Sequence, residues 1–333
     1  MTRLATVLVL ALGAIACDGD RTPQGDTQTF VATDGASALL ESGDVLLRVA
    51  HAGVRRLEFR PASAESFSFR ERIATDGEGR FSIEPVEPVG ATAFDWGSFE
   101  LLQRSSEGFL FRYRDFAVRD SALFARNYRW HAMGQSQVAG RGCALWRIER
   151  VIGEPMVFEL SVDSATGIVL ACRELDGDGR ETASMVYESV DLAPDLRNVV
   201  WHRAANEEEV LDRGTSASVQ IGASVLEPRL LPTGYARGEA ALVTDGDGRR
   251  WLKQTYLDGV ESLFFLQALA PSADAGEMEA ASVPSATPVP GEVVVFRIGS
   301  ALAIQGVVAG HELAVIGRAP EAELLDLIES ALP

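Results

Sequence analysis

Apolar and polar residues alternate in short runs through most of the chain, the period-two signature of half-buried strands. Such runs fall at 55–59, 66–75 and 80–84. Three more, at 143–150, 156–162 and 168–175, read as a meander joined by loops around Gly153-Glu154-Pro155 and Asp163-Ser-Ala-Thr-Gly167. A strand at 128–133 leads into it and 184–191 continues it. Alternation puts Trp146, Ile148, Phe158, Leu160, Val162, Leu170 and Cys172 on one face, and all but Cys172 are candidates for the wall of an apolar cavity. Helical spacing appears at 36–52, interrupted by Gly43, and at 94–104 and 116–126. A polar, acidic connection at 204–214 is followed by a hairpin, 249–256 and 261–269, around Leu257-Asp258-Gly259. A long Pro-, Ser- and Ala-rich loop at 271–290 precedes short strands at 293–298, 301–308 and 313–317. The chain closes on a helix with Pro320 in its first turn and Glu321 and Glu323 near its positive end. Leu324, Leu327, Ile328 and Ala331 lie on one face of it.

The pattern predicts a mainly β (α+β) protein with two folded units, 28–205 and 226–333. The first residues read differently. Arg3 supplies a small positive charge, and an apolar stretch from Leu4 to Ile15 is too short to span a bilayer comfortably. Small residues at Ala14 and Ala16 suit ordinary signal-peptide cleavage, but Cys17 follows them directly and resembles a bacterial lipobox. On that reading residues 1–16 are a lipoprotein signal peptide, and Cys17 is the lipidation site that ties the chain to a membrane. Residues 17–27 are then a polar tether. Asp18 directly after the Cys fits retention at the inner membrane, on the periplasmic side of the envelope.

Composition narrows the function. In 333 residues, 47% hydrophobic and 23% charged, a core is easily built. A net charge of −18 excludes nucleic acid as a partner, since phosphate binding needs basic patches. With Cys17 used by lipid, Cys143 and Cys172 remain, a possible disulfide in an oxidising compartment. Alternation places them on opposite faces two strands apart, which favours two separate thiols.

Chemistry is scarce. Asp76-Gly-Glu-Gly-Arg80, Asp176-Gly-Asp-Gly-Arg180 and Asp245-Gly-Asp-Gly-Arg249 look like calcium loops, but each carries Arg where a ligand belongs. Each sits between predicted strands, where Asp-Gly makes a tight turn. His51, on a helix surface, and His311, in a turn beside Gly310, lack metal-type spacing, as do His131 and His202. No nucleophile elbow or phosphate loop occurs. The expectation is a binding protein without catalytic residues, metal or cofactor.

A resemblance adds to this. Val138-Ala-Gly-Arg141, Arg147-Ile-Glu-Arg150 and Phe158-Glu-Leu-Ser-Val-Asp163-x-x-Thr166-Gly167-x-x-Leu170 resemble the RseB/MucB periplasmic regulators, which share this domain type with the carriers LolA and LolB. Arg173-Glu-Leu-Asp-Gly-Asp-Gly179 and Tyr187-Glu-Ser-Val-Asp-Leu192 extend the likeness. Leu231-Pro-Thr-Gly234, Gln254-Thr-Tyr-Leu-Asp-Gly259 and Val315-Ile-Gly-Arg-Ala-Pro320 carry it into the second unit. The resemblance implies a LolA-like half-open, curved antiparallel sheet enclosing helices, plus a smaller C-terminal α+β domain. It implies an anti-sigma factor's periplasmic domain as partner, with sensing of lipid or lipoprotein. The alternative it leaves open is a LolA/LolB-type carrier of acyl chains or lipoproteins, without a signalling role.

Overall fold

In the computed structural model of the chain, the described residues are 45, 48–60, 66–88, 116–201, 209–212, 216–221, 224–244, 250–269, 293–298 and 301–332. Alternating patterns become strands that pair with their sequence neighbours. β1 (His51–Phe59), β2 (Phe67–Thr75) and β3 (Phe81–Pro88) form one meander. β4 (Tyr128–Val138), β5 (Arg141–Arg150), β6 (Met156–Asp163), β7 (Val169–Asp176) and β8 (Glu181–Asp191) form another. Antiparallel pairing of β1 with β8 joins them into one open eight-stranded sheet, ordered β3-β2-β1-β8-β7-β6-β5-β4. Its inner face holds the larger core, including Leu57, Phe69, Ile73, Phe158, Leu160, Leu170 and Met185.

The turns follow their chemistry. Asp76 Oδ1 accepts from the backbone N–H of Glu78 and Arg80, at 2.8 and 3.0 Å, between β2 and β3. Asp176 Oδ1 does the same for Asp178 and Arg180 between β7 and β8, at 3.0 and 2.8 Å. These carboxylates are therefore occupied by their own loops, as the turn reading expects. The third copy lies outside the described residues. At the β6–β7 turn, Asp163 takes the Thr166 N–H and hydroxyl, at 3.0 and 2.6 Å, while Arg141 grips both its oxygens at 2.9 and 3.0 Å. The Arg141, Asp163 and Thr166 positions of the quoted motif are thus one structural clasp.

The second sheet has seven strands in the order β13-β14-β15-β12-β11-β10-β9. It is built from β9 (Glu209–Val210), β10 (Ala236–Thr244), β11 (Arg250–Leu257), β12 (Ser262–Ala268), β13 (Val293–Ile298), β14 (Ala301–Val308) and β15 (His311–Gly317). α1 (Ser121–Asn127) and α2 (Ala217–Ile221) are short. α3 (Glu321–Ala331) lays Leu324, Leu327, Ile328 and Ala331 on Leu263, Phe265, Ile304 and Val315, as its helical period predicts. Each of its three larger side chains contributes about 1.5–3 kcal/mol by leaving water.

Several local expectations change. His51 is not on a helix surface; it opens β1 and is fully buried. Its Nδ1 bonds the Val49 carbonyl at 2.8 Å and its Nε2 meets the Tyr187 hydroxyl at 3.1 Å. The flanking pattern resembled a helix because Val45 and Arg48 are helical, but the strand begins three residues later. The helix expected over 116–126 starts only at Ser121, where Asp120 Oδ1 caps the Leu123 N–H at 2.8 Å. His311 begins β15, and within the expected surface connection Glu209 and Val210 add to the second sheet. Cys143 and Cys172 are both buried free thiols. Cys17, the tether, the helix expected at 94–104 and the loop at 271–290 lie outside the described residues.

The outer face of the first sheet is a ladder of opposite charges. From β5 it runs Glu149–Arg147–Glu159–Arg173–Glu181–Arg60–Glu58–Arg56 and reaches β1, with successive contacts of 2.7, 3.0, 2.6, 2.9, 2.8, 2.6 and 3.3 Å. Cross-strand neighbours of opposite sign favour this register and leave this face wet.

Candidate functional site

The predicted cavity residues are brought together. Ile148 and Phe158 face each other across β5 and β6, as do Trp146 and Leu160. Ile148, Phe158, Leu160, Val162 and Leu170 are buried, and Trp146 packs half-buried against them. Phe116 crosses this face and meets Phe158 edge-on at 5.3 Å, while Phe124 stacks on Tyr128 and Trp130 at 5.3 and 4.9 Å. At these positions the protein's own aromatic residues lie on the apolar face.

The same inward stripes end in charge. Along β5 the series Trp146, Ile148 continues to Arg150, and along β7 Leu170, Cys172 continues to Glu174. Both charged residues are buried, where a bare charge would be heavily penalised. Their partners come from the second sheet. The β11–β12 hairpin puts Asp258 Oδ2 at 2.7 Å from Arg150 Nη2 and within reach of the Tyr128 hydroxyl, which donates at 2.6 Å. Asp258 Oδ1 accepts from the backbone N–H of Val260 and Glu261, at 2.9 and 2.7 Å, so the other oxygen closes the hairpin itself. Arg318, just after β15, donates to Glu174 at 2.8 Å and to Glu261 at 3.1 Å.

Backbone contacts tighten the junction. Asn127 Nδ2 donates to the carbonyls of Gly234 and Asp258, each at 2.7 Å. The Gly259 carbonyl accepts from the Arg119 N–H at 2.8 Å. Gly259 has φ +113°, and a Cβ there would lie 2.4 Å from the Phe124 nitrogen, so only glycine lets the hairpin tip touch α1. Val260 then joins the core of the first sheet.

The charges respond to this setting. Burial pulls the Arg150 guanidinium down, but Tyr235 and Asp258 outweigh it and hold it above its ordinary value. Burial raises the Tyr128 hydroxyl well above the usual range, and Asp258 adds to it. Burial also raises the Glu261 carboxyl, with Asp258 and Glu174 repelling its charge and Arg318 opposing the shift. Such a junction can hold the two sheets in a fixed relation. No group of three or more His, Cys, Asp or Glu among the described residues is placed to hold a metal ion. The sequence gives Arg150, Glu174, Asp258 and Arg318 only as members of motifs and turns, and assigns neither them nor Glu261 a site role. A signal existed for two of them: Arg150 and Glu174 occupy inward slots of an otherwise apolar alternation.

No family model matches the sequence, and no curated protein matches it. Solved structures do. A crystal structure of MucB aligns over 90% of this chain and 96% of its own, at 16% identity and a TM-score of 0.50. MucB in complex with MucA(peri) aligns over 90% and 97%, at 13% identity and a TM-score of 0.48. The Pseudomonas aeruginosa MucA/MucB complex gives 14% identity and a TM-score of 0.47 over 90% and 98%. At 90% coverage the MucB alignment reaches both sheets of this chain, and the fold is of the RseB/MucB type.

Proposed function

We propose that this chain is an envelope-anchored regulator that binds the periplasmic domain of an anti-sigma factor. The observation that carries the reading is the second sheet, joined to the first through Arg150–Asp258 and Glu174–Arg318–Glu261. A simple acyl-chain carrier works without such a second sheet, whereas a protein that presents both sheets to one partner needs them held together. MucB, whose fold this chain shares at 16% identity, has been captured with MucA(peri). On this reading Cys17 carries the lipid, Asp18 favours the inner membrane, and the protein works by binding, with no catalysis and no cofactor.

Deleting the chain in its host tests this. The single-span anti-sigma factor should be degraded faster, and transcription from its sigma factor should rise. Unchanged turnover and transcription would overturn the regulator. The anchor is tested separately by Cys17→Ser, which should abolish fatty-acid labelling and release the protein from membranes. If neither form takes up label and both fractionate alike, the anchor is wrong.

A second reading, carriage of acyl chains or lipoproteins, rests on the apolar inner face around Phe158 and Leu160. It requires saturable binding of a fluorescent acylated probe by the wild-type protein. The regulator does not require it, although lipid sensing would.

A further inference from the structure

The first sheet ends on β4, an 11-residue strand paired only with β5 among the described residues. After buried Tyr128, every residue of β4 is exposed or half-buried. An edge of this kind offers a row of open backbone N–H and C=O groups. Proteins usually blunt such edges with charge and bulges. β4 has both, since a register shift between Ala132 and Gly134 leaves Met133 outside the pairing and half exposed.

Protection alone does not account for the sign of the charge. From Ser121 to Ile148 there are four arginines, one histidine and no Asp or Glu, in a chain of net charge −18. Arg126 and Arg129 are exposed, and neither has a carboxylate partner among the described residues. Arg126 donates to the Gly234 carbonyl at 3.1 Å and to the Asn127 side chain, and Arg129 to the Tyr128 carbonyl at 3.0 Å. Glu149 lies opposite Arg129 in the register, but it is bonded to Arg147 at 2.7 Å. Alternation along β4 sends Arg129 and His131 outward, while Trp130 turns toward the core and stacks on Phe124.

We propose that the outer edge of β4 docks an extended partner segment of alternating acidic and apolar residues, which adds to the sheet as a ninth strand. Its acids would lie beside Arg129 and His131, and its apolar residues beside Trp130, by the same cross-strand rule that orders the outer ladder. The bulge at Met133 sets the far limit of the pairing. This surface does not depend on the partner being an anti-sigma factor.

The test uses the full chain in detergent and a fluorescein-labelled octapeptide of alternating valine and glutamate, followed by anisotropy. Binding should be saturable, and about tenfold tighter than for the same peptide with lysine in place of glutamate. Arg129→Glu with His131→Glu should reverse that preference, and the milder Arg129→Gln should weaken it with an unchanged circular dichroism spectrum. Methylating alternate backbone nitrogens of the peptide should abolish binding in one phase and spare it in the other, since a paired strand donates from one edge only. Hydrogen exchange should slow in β4. The proposal is overturned by any of three results: no saturable binding, indifference to both methylation phases, or protection that appears on the opposite sheet's edge strand β13 instead of β4.

Discussion

Arginine and carboxylate meet in two settings in this molecule. On the outer face of the first sheet, Arg173 bridges Glu159 and Glu181 with about half of its side chain in water. At the junction, Arg150 and Asp258 meet with side chains 3% and 0% exposed, and Arg318 with Glu174 and Glu261 is nearly as dry. The groups and distances are similar, but the consequences are not. Exposed pairs gain little over their hydrated states, because water and salt screen them. Buried pairs are not a surplus of stability either; they make the loss of one partner severe, because the other charge is then stranded. The ladder therefore tunes a surface, while the junction makes the two sheets depend on each other.

The largest test of that contrast is Asp258→Asn. It leaves Arg150 without its counter-charge and should destabilise the protein by about 3–5 kcal/mol in chemical denaturation. Separate unfolding of the two sheets should also appear, as fluorescence of the buried Trp251, read in a variant with the other tryptophans replaced by Phe, that no longer coincides with circular dichroism. A loss no greater than that of an outer-ladder variant would remove the distinction drawn here.

An intermediate effect comes from pH. The Glu261 carboxyl sits above its ordinary value of 4.5, so the folded chain holds this proton more tightly than the unfolded chain. Its contribution is complete below about pH 4.5 and is lost as pH rises through the elevated value. Glu261→Gln, which cannot ionise, should therefore gain on the wild type as pH is raised from there. Asp163 behaves in the opposite sense. Burial pushes its carboxyl up, but bonds from Arg141 and Thr166 outweigh that and hold it below 3.8. Its contribution is present above that pH and fades under stronger acid. A stability difference between Glu261→Gln and wild type that stays flat from acid to neutral pH would show that the junction does not control Glu261.

The smallest effect belongs to the ladder. Arg173→Ala should cost roughly 0.2–1 kcal/mol at low salt, and the difference should shrink at about 1 M salt, where screening reaches only ~3 Å. The Asp258→Asn loss should persist at that salt, and equal salt sensitivity of the two would collapse the comparison.

Much of the fold was readable in advance because its information is local. The meander from 143 to 175, the turns at Asp76 and Asp176, the hairpin at Asp258-Gly259 and the buried face of α3 each follow from a period of two or 3.6 or from Asp-Gly turn chemistry. The apolar inner face was legible for the same reason, and all seven of its named residues lie together. His51 was misread because a short helical pattern ran up to it, and nothing nearby announces Tyr187, 136 residues away.

By itself, then, the sequence determined most of the strand segments, though not the start of β1, β9 or β10, along with the apolar face of the meander and the tight turns, since neighbours within a few residues settle those questions. Only the tertiary structure decided that β1 closes on β8, and that Arg150 and Glu174 are ends of a junction and not defects in an apolar stripe. Tyr128 meets Asp258 across 130 residues and Glu174 meets Arg318 across 144. Whether a charge can be buried depends on what faces it in space, and alternation along one strand carries no record of that.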